Sequence, residues 1–114
     1  MRPTYDAANH APHVRVLEGT DLTRLAGTTI TLTAEVSDPD GDEVTVRWWQ
    51  YREAGTSPLA VEVRAAGPRC EVELPAEAEP GTTVHLIVEA TDSGTPALTS
   101  YQRVVVEIAA AEEG

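Results

Sequence analysis

The chain has 114 residues, 41% hydrophobic and 24% charged, a size and balance that suit one domain with a modest core needing no metal or cross-link. Its 8 basic residues, all arginine, face 19 acidic ones, and the net charge of −11 repels nucleic acid and anionic membrane surfaces. No run approaches transmembrane length, no signal-peptide pattern opens the chain, and the lone Cys70 has no partner for an internal disulfide.

Residues 1–12 lack periodic apolar positions and end in Asn9-His10-Ala11-Pro12, which reads as a linker from a preceding domain. The domain proper is expected over 13–108, with 109–114 a small, acidic, flexible tail. Between these ends apolar residues recur with period two, and Gly or Pro clusters interrupt them at short intervals. The pattern predicts an all-β fold, an immunoglobulin-like or fibronectin-like antiparallel sandwich of about seven strands. They are expected over His13–Leu17, Thr28–Ser37, Glu43–Tyr51, Ala60–Arg64, Arg69–Leu74, Thr83–Thr91 and Ser100–Ile108.

In the second strand Ile30, Leu32, Ala34 and Val36 share one face, so that face belongs to the core. In the third, Val44, Val46 and Trp48 alternate with Thr45, Arg47, Trp49 and Tyr51, so the two adjacent tryptophans point to opposite faces. Trp48 takes the core position that sandwiches of this kind fill with a tryptophan. The disulfide and the tyrosine corner of antibody domains are both absent, which favours a fibronectin-like or cadherin-like relative. Cys70 sits at an inward position between Arg69 and Glu71 and reads as a buried structural thiol.

Two groups of residues invite a functional reading. Ser37-Asp38-Pro39-Asp40-Gly41-Asp42 carries carboxylates at alternate positions, yet lacks the glycine and glutamate spacing of an EF-hand, and Asp-Pro-Asp-Gly is itself a favoured turn sequence. In a sandwich this turn, the linker and the loop after Asp92 lie at one end. Asn9, Asp38, Asp40, Asp42 and Asp92 are therefore expected to cluster; turn formation alone explains these residues and no cofactor is required, with a weak Ca²⁺ site as the alternative. The second group is the outer face of strands three, six and seven, where parity displays Trp49 and Tyr51, then His85, Ile87 and Glu89, then Tyr101, Arg103 and Val105. Such an apolar, aromatic face marks an interface or a ligand groove. It fits docking against a neighbouring domain or, alternatively, stacking of a glycan on Trp49 and Tyr51. The three histidines are scattered and no catalytic triad or metal-ligand spacing occurs, so the chain is not expected to be an enzyme.

Asn9-His10-Ala11-Pro12, the aspartate turn running into Arg47-Trp48-Trp49-Gln50-Tyr51-Arg52-Glu53-Ala54-Gly55, and Val84 to Val104 with its Asp92-Ser93-Gly94-Thr95-Pro96 turn are together distinctive. They resemble the C-terminal, immunoglobulin-like (cadherin-like) domain of bacterial and fungal proteins described as cellulose-binding, whose N-terminal domain is nucleoside-hydrolase-like. The resemblance implies an accessory module packed against a preceding nucleoside-hydrolase-like domain, with any hydrolytic chemistry in that other domain. It also implies a secreted, extracellular or periplasmic protein associated with plant polysaccharide.

Overall fold

The computed structural model describes residues 10–52, 55–56, 59–94 and 97–110. Eight strands form two four-stranded sheets: β1 (His13–Val16), β2 (Asp21–Leu25), β3 (Thr29–Ser37), β4 (Val44–Gln50), β5 (Glu62–Ala66), β6 (Arg69–Glu73), β7 (Thr83–Asp92) and β8 (Thr99–Ala109). One sheet has the order β1-β3-β6-β5 and the other β2-β8-β7-β4. This is an immunoglobulin-like sandwich in which the N-terminal stretch is divided between the two sheets.

The expected all-β sandwich is found, with eight strands among the described residues where the sequence pattern marks seven. β2 escapes the alternation test because Leu22 is its one buried residue and its second leucine, Leu25, lies exposed three positions on. Its place comes instead from parallel pairing with β8, Leu22 opposite Val106 and Arg24 opposite Ile108, a long-range contact that no local pattern encodes. The fifth strand is also displaced, to Glu62–Ala66 from the expected Ala60–Arg64. Residues 59–61 are held otherwise, since the Gln50 side chain donates Nε2 to the Leu59 carbonyl and accepts the Val61 amide on Oε1.

The core lies between the sheets. Ile30, Leu32 and Ala34 of β3 with Cys70 and Val72 of β6 face Trp48, Val84, Leu86, Val88, Val104, Val106 and Ile108 of the other sheet. Trp48 spans the layer, its Nε1 donating to the Gly67 carbonyl at 3.1 Å in the β5–β6 hairpin. Gly67 adopts φ +59° there, in the left-handed region open to glycine in a two-residue hairpin turn. Cys70 is buried in the same layer, and loss of hydration pushes its thiol up to about 12. It is a small apolar core residue, as its parity predicts.

The entry of the chain is tied to the sandwich. The His10 amide donates to Asp40 Oδ2 at 2.6 Å, its ring lies 3.2 Å from Asp40 Oδ1, and Ser100 donates its hydroxyl to the Pro12 carbonyl at 2.6 Å. The incoming segment therefore meets the body at the start of β8, one residue from Tyr101.

Candidate functional site

The register of β4, β7 and β8 builds the outer face as three rows. Trp49 lies opposite Ile87, which lies opposite Arg103; Arg47, Glu89 and Tyr101 form the next row; and His85 faces Val105, with Tyr51 donating its amide to the His85 carbonyl on the other side. The side chains of the two flanking strands lean towards one another over β7. Trp49 and Tyr101 meet edge-on, centroids 6.3 Å apart and planes at 85°. Arg103 lies over the Tyr51 ring at 5.5 Å, and Arg47 over the Trp49 ring at 5.8 Å while reaching Glu89 at 3.8 Å.

That canopy explains an irregularity in β7. Its inward residues Val84, Leu86, Val88 and Ala90 are buried as a half-buried strand requires, but the outward Ile87 is also 8% exposed. Exposure across the face is uneven: Ile87 is buried, Trp49 and Val105 are half-buried, and Arg47, Arg103, Tyr51 at 36% and Tyr101 at 62% carry the exposed surface. His85 lies in the adjoining row, opposite Val105, with its Nδ1 buried and without a hydrogen-bond partner among the described residues, and burial followed by the Arg103 charge holds its pKa below the ordinary value. Arg47 is the member of this face that sequence reasoning left aside; its outward parity beside Trp49 was the available signal.

The loop over 53–58 is described at Gly55 and Thr56. These latch onto the start of β7: the Thr56 amide donates to the Thr83 carbonyl at 3.1 Å, and the Thr83 amide donates to Thr56 Oγ1 at 2.8 Å. A Cβ on Gly55 would stand 2.8 Å from the Thr83 carbonyl oxygen, which gives the glycine of this distinctive segment a steric reason.

At the entry end, the linker, the aspartate turn and the β7–β8 loop do meet. Donor oxygens of Asp38, Asp40 and Asp42 lie within 4.8 Å of one another, and Glu43 donates its amide to Ser93 Oγ at 3.1 Å. Loss of hydration, then the charges of Asp38, Asp92 and Asp40, raise the Asp42 pKa, whereas the hydrogen bonds from His10 lower that of Asp40. Much of the cluster is engaged in making turns. Asp38 Oδ1 accepts the Asp40 amide at 2.7 Å, its carbonyl accepts the Gly41 amide, and Gly41 takes φ +77°. Asp92, 4% exposed, uses Oδ1 to accept the amides of Gly94 and Leu98, closing its own loop, while its charge acts on Asp42. Asp38 Oδ2 is buried without a partner. As a cation cradle the set fits in part: Asp38 and Asp42 offer oxygens, Asp40 would have to exchange His10, and Asn9 lies outside the described residues.

Among the described residues His10 Nδ1 meets Asp40 Oδ1 at 3.2 Å on the exposed entry end. His13 is exposed on β1, and a concavity of about 450 Å³ between β2 and β3 is lined by Leu22, Leu25, Ile30 and threonines with Arg24 as its charged group.

A family model described as the C-terminal domain of cellulose-binding protein Sde0182 matches residues 29–108. Among solved structures, a nucleoside hydrolase-related hypothetical protein from Saccharophagus degradans, described as associated with carbohydrate metabolism, is 32% identical with a TM-score of 0.86. The match covers 92% of this chain and 27% of that one, so the chain spans about a quarter of that relative. The titin M3 domain is 15% identical with a TM-score of 0.49, covering 87% of this chain and 97% of its own. No curated protein sequence matches the chain. With 80 residues matched end to end, Trp48, Trp49, the Gly55 latch and the Ile87 face among them, the chain belongs to the family of the cellulose-binding protein Sde0182 C-terminal domain.

Proposed function

We propose that the chain is a non-catalytic interaction module, packed through the outer face of β2-β8-β7-β4 against a hydrolase-related domain that precedes it in an exported, polysaccharide-associated protein. The observation that carries this reading is the buried Ile87 on the outward side of β7, ringed by Trp49, Tyr51, Tyr101, Arg47 and Arg103. An aliphatic centre surrounded by tryptophan, tyrosine and arginine is the composition of protein–protein hot spots. Two further points support the choice of partner: the Saccharophagus relative is much longer than this chain, and the entry segment is tied down beside Tyr101, at one border of the face.

The competing reading is a carbohydrate-binding module that stacks a glycan on Trp49 and Tyr51. Sugar stacking needs broad ring faces lying parallel to the surface. Here Arg47 lies over one ring, Arg103 over the other, and Trp49 stands perpendicular to its aromatic neighbour.

Calorimetry of the protein together with its preceding domain tests the docking reading. Docked domains unfold in one coupled transition, and Trp49→Ala should split it in two. Affinity electrophoresis of the 114-residue chain on cellulose, xylan and other glucans tests the alternative. Retardation abolished by Trp49→Ala, with no coupling in the calorimeter, would overturn the docking reading.

A further inference from the structure

We infer that the outer face is built to receive carboxylates, with Arg103 as the guanidinium anchor for an acidic patch on the preceding domain. This rests on the docking reading and adds the chemistry of the partner surface.

The argument begins with charge. The domain is strongly acidic, and several of its arginines are occupied by its own carboxylates: Arg15 by Glu35 at 4.0 Å, Arg64 by Glu62, Glu71 and Glu73 between 3.2 and 3.8 Å, and Arg47 by Glu89. Arg103 makes no ion pair among the described residues. Arg24 and Arg69 share that condition, but Arg24 donates to the neighbouring Thr23 carbonyl and Arg69 lies on β6, in the opposite sheet. Arg103 stands in the row of the buried Ile87, held at 5.5 Å over Tyr51.

An arginine stacked on a ring loses less side-chain freedom on binding, and its planar fork presents paired donors that match a carboxylate. The surroundings leave that capacity unused. Ile87 and His85 stand beside Arg103 on β7 and Trp49 beyond them on β4; of the acids on this sheet face, Glu89 is taken by Arg47, Asp21 lies opposite Val105 and Glu107 opposite Thr83, none of them opposite Arg103. A guanidinium without an ion pair thus stands beside Ile87 on a domain of net charge −11, and a partner bringing Asp or Glu to Arg103 is complementary to it.

The test uses the protein with its preceding domain, compared as wild type, Arg103→Gln, Arg103→Glu and Trp49→Ala, with calorimetric coupling as the readout. Arg103→Glu should uncouple the domains more completely than Arg103→Gln. Wild-type coupling should weaken between about 0.1 and about 1 M NaCl, as the screening length falls from about 10 to about 3 Å. The melting temperature of the 114-residue chain alone should barely respond to either Arg103 change, because the side chain is exposed. If Trp49→Ala uncouples the domains while Arg103→Glu and salt do nothing, docking stands and the carboxylate anchor is overturned. If none of the variants changes the coupling, the docking reading falls and this inference with it. Retardation of the 114-residue chain on polygalacturonate that depends on Arg103, without domain coupling, would make an acidic polysaccharide the occupant and overturn the proposal.

Discussion

Replacing Trp48 and Trp49 separately by alanine sets two adjacent, chemically identical side chains against each other. Trp48 is buried between the sheets and donates to the Gly67 carbonyl, so its removal opens a core cavity and orphans a hairpin acceptor. Truncating such a residue costs about 3–5 kcal/mol, the hydrogen bond accounting for roughly 1 kcal/mol of it. For a domain near 100 residues this lowers the midpoint of thermal unfolding by on the order of 20 °C. Trp49 is half-buried and contributes its edge-on contact with Tyr101 and its arginine contact, each about 0.5–1.5 kcal/mol, so Trp49→Ala in the 114-residue chain should cost about 1–2 kcal/mol. Urea unfolding followed by far-ultraviolet circular dichroism is the suitable assay, because each substitution alters the fluorescence. The two losses should differ by about 2 kcal/mol or more at similar m-values. Equal losses, or a larger one at Trp49, would refute the assignment of opposite roles.

Gly55→Ala should cost about 1–3 kcal/mol by forcing the loop off the Thr83 carbonyl, with faster amide exchange at Thr56 and Thr83 as the local readout. Cys70, with its thiol at about 12, should resist iodoacetamide in the folded chain at pH 8, its labelling rate tracking unfolding; fast native labelling would contradict the burial. His85 is held below its ordinary pKa, so the unfolded chain takes up a proton the folded one resists, and stability should fall as pH drops below about 6.5. His85→Gln should flatten that slope. The raised Asp42 pKa has the opposite sign: near pH 4 the folded state gains from protonation there, and Asp42→Asn should raise the melting temperature slightly at pH 7. Calcium at millimolar concentration should produce a smaller, saturable rise in the wild type that Asp42→Asn removes; a flat titration would leave the aspartate segment as a turn and nothing more.

Strands whose inward residues alternate cleanly could be read from sequence to within two residues: β3, β6, β7 and β8 carry their core face in Ile30-x-Leu32, Cys70-x-Val72, Val84-x-Leu86 and Val104-x-Val106. Parity also placed Trp48 inside and the members of the outer face together. It could not state how far each is exposed, because that depends on side chains bridging two strands, Trp49 to Tyr101 and Arg103 to Tyr51, over a third. β2 was invisible because its pairing is parallel and long-range, with one buried leucine to signal it. The aspartate turn was read as a shared cluster, and its residues do converge. That Asp92 spends its oxygen on Gly94 and Leu98 follows from a loop conformation that composition alone does not specify.

The bond pair from Gln50 to residues 59 and 61 also bears on how the protein survives in concentrated solution. β4 ends its sheet with no further strand beside it, and such a border exposes a row of backbone donors and acceptors to any passing chain. The amide side chain of its last residue pins the following segment beside the end of β4. Gln50→Leu, which frees that segment, is expected to show its effect first as turbidity in concentrated solution rather than as a lower melting temperature.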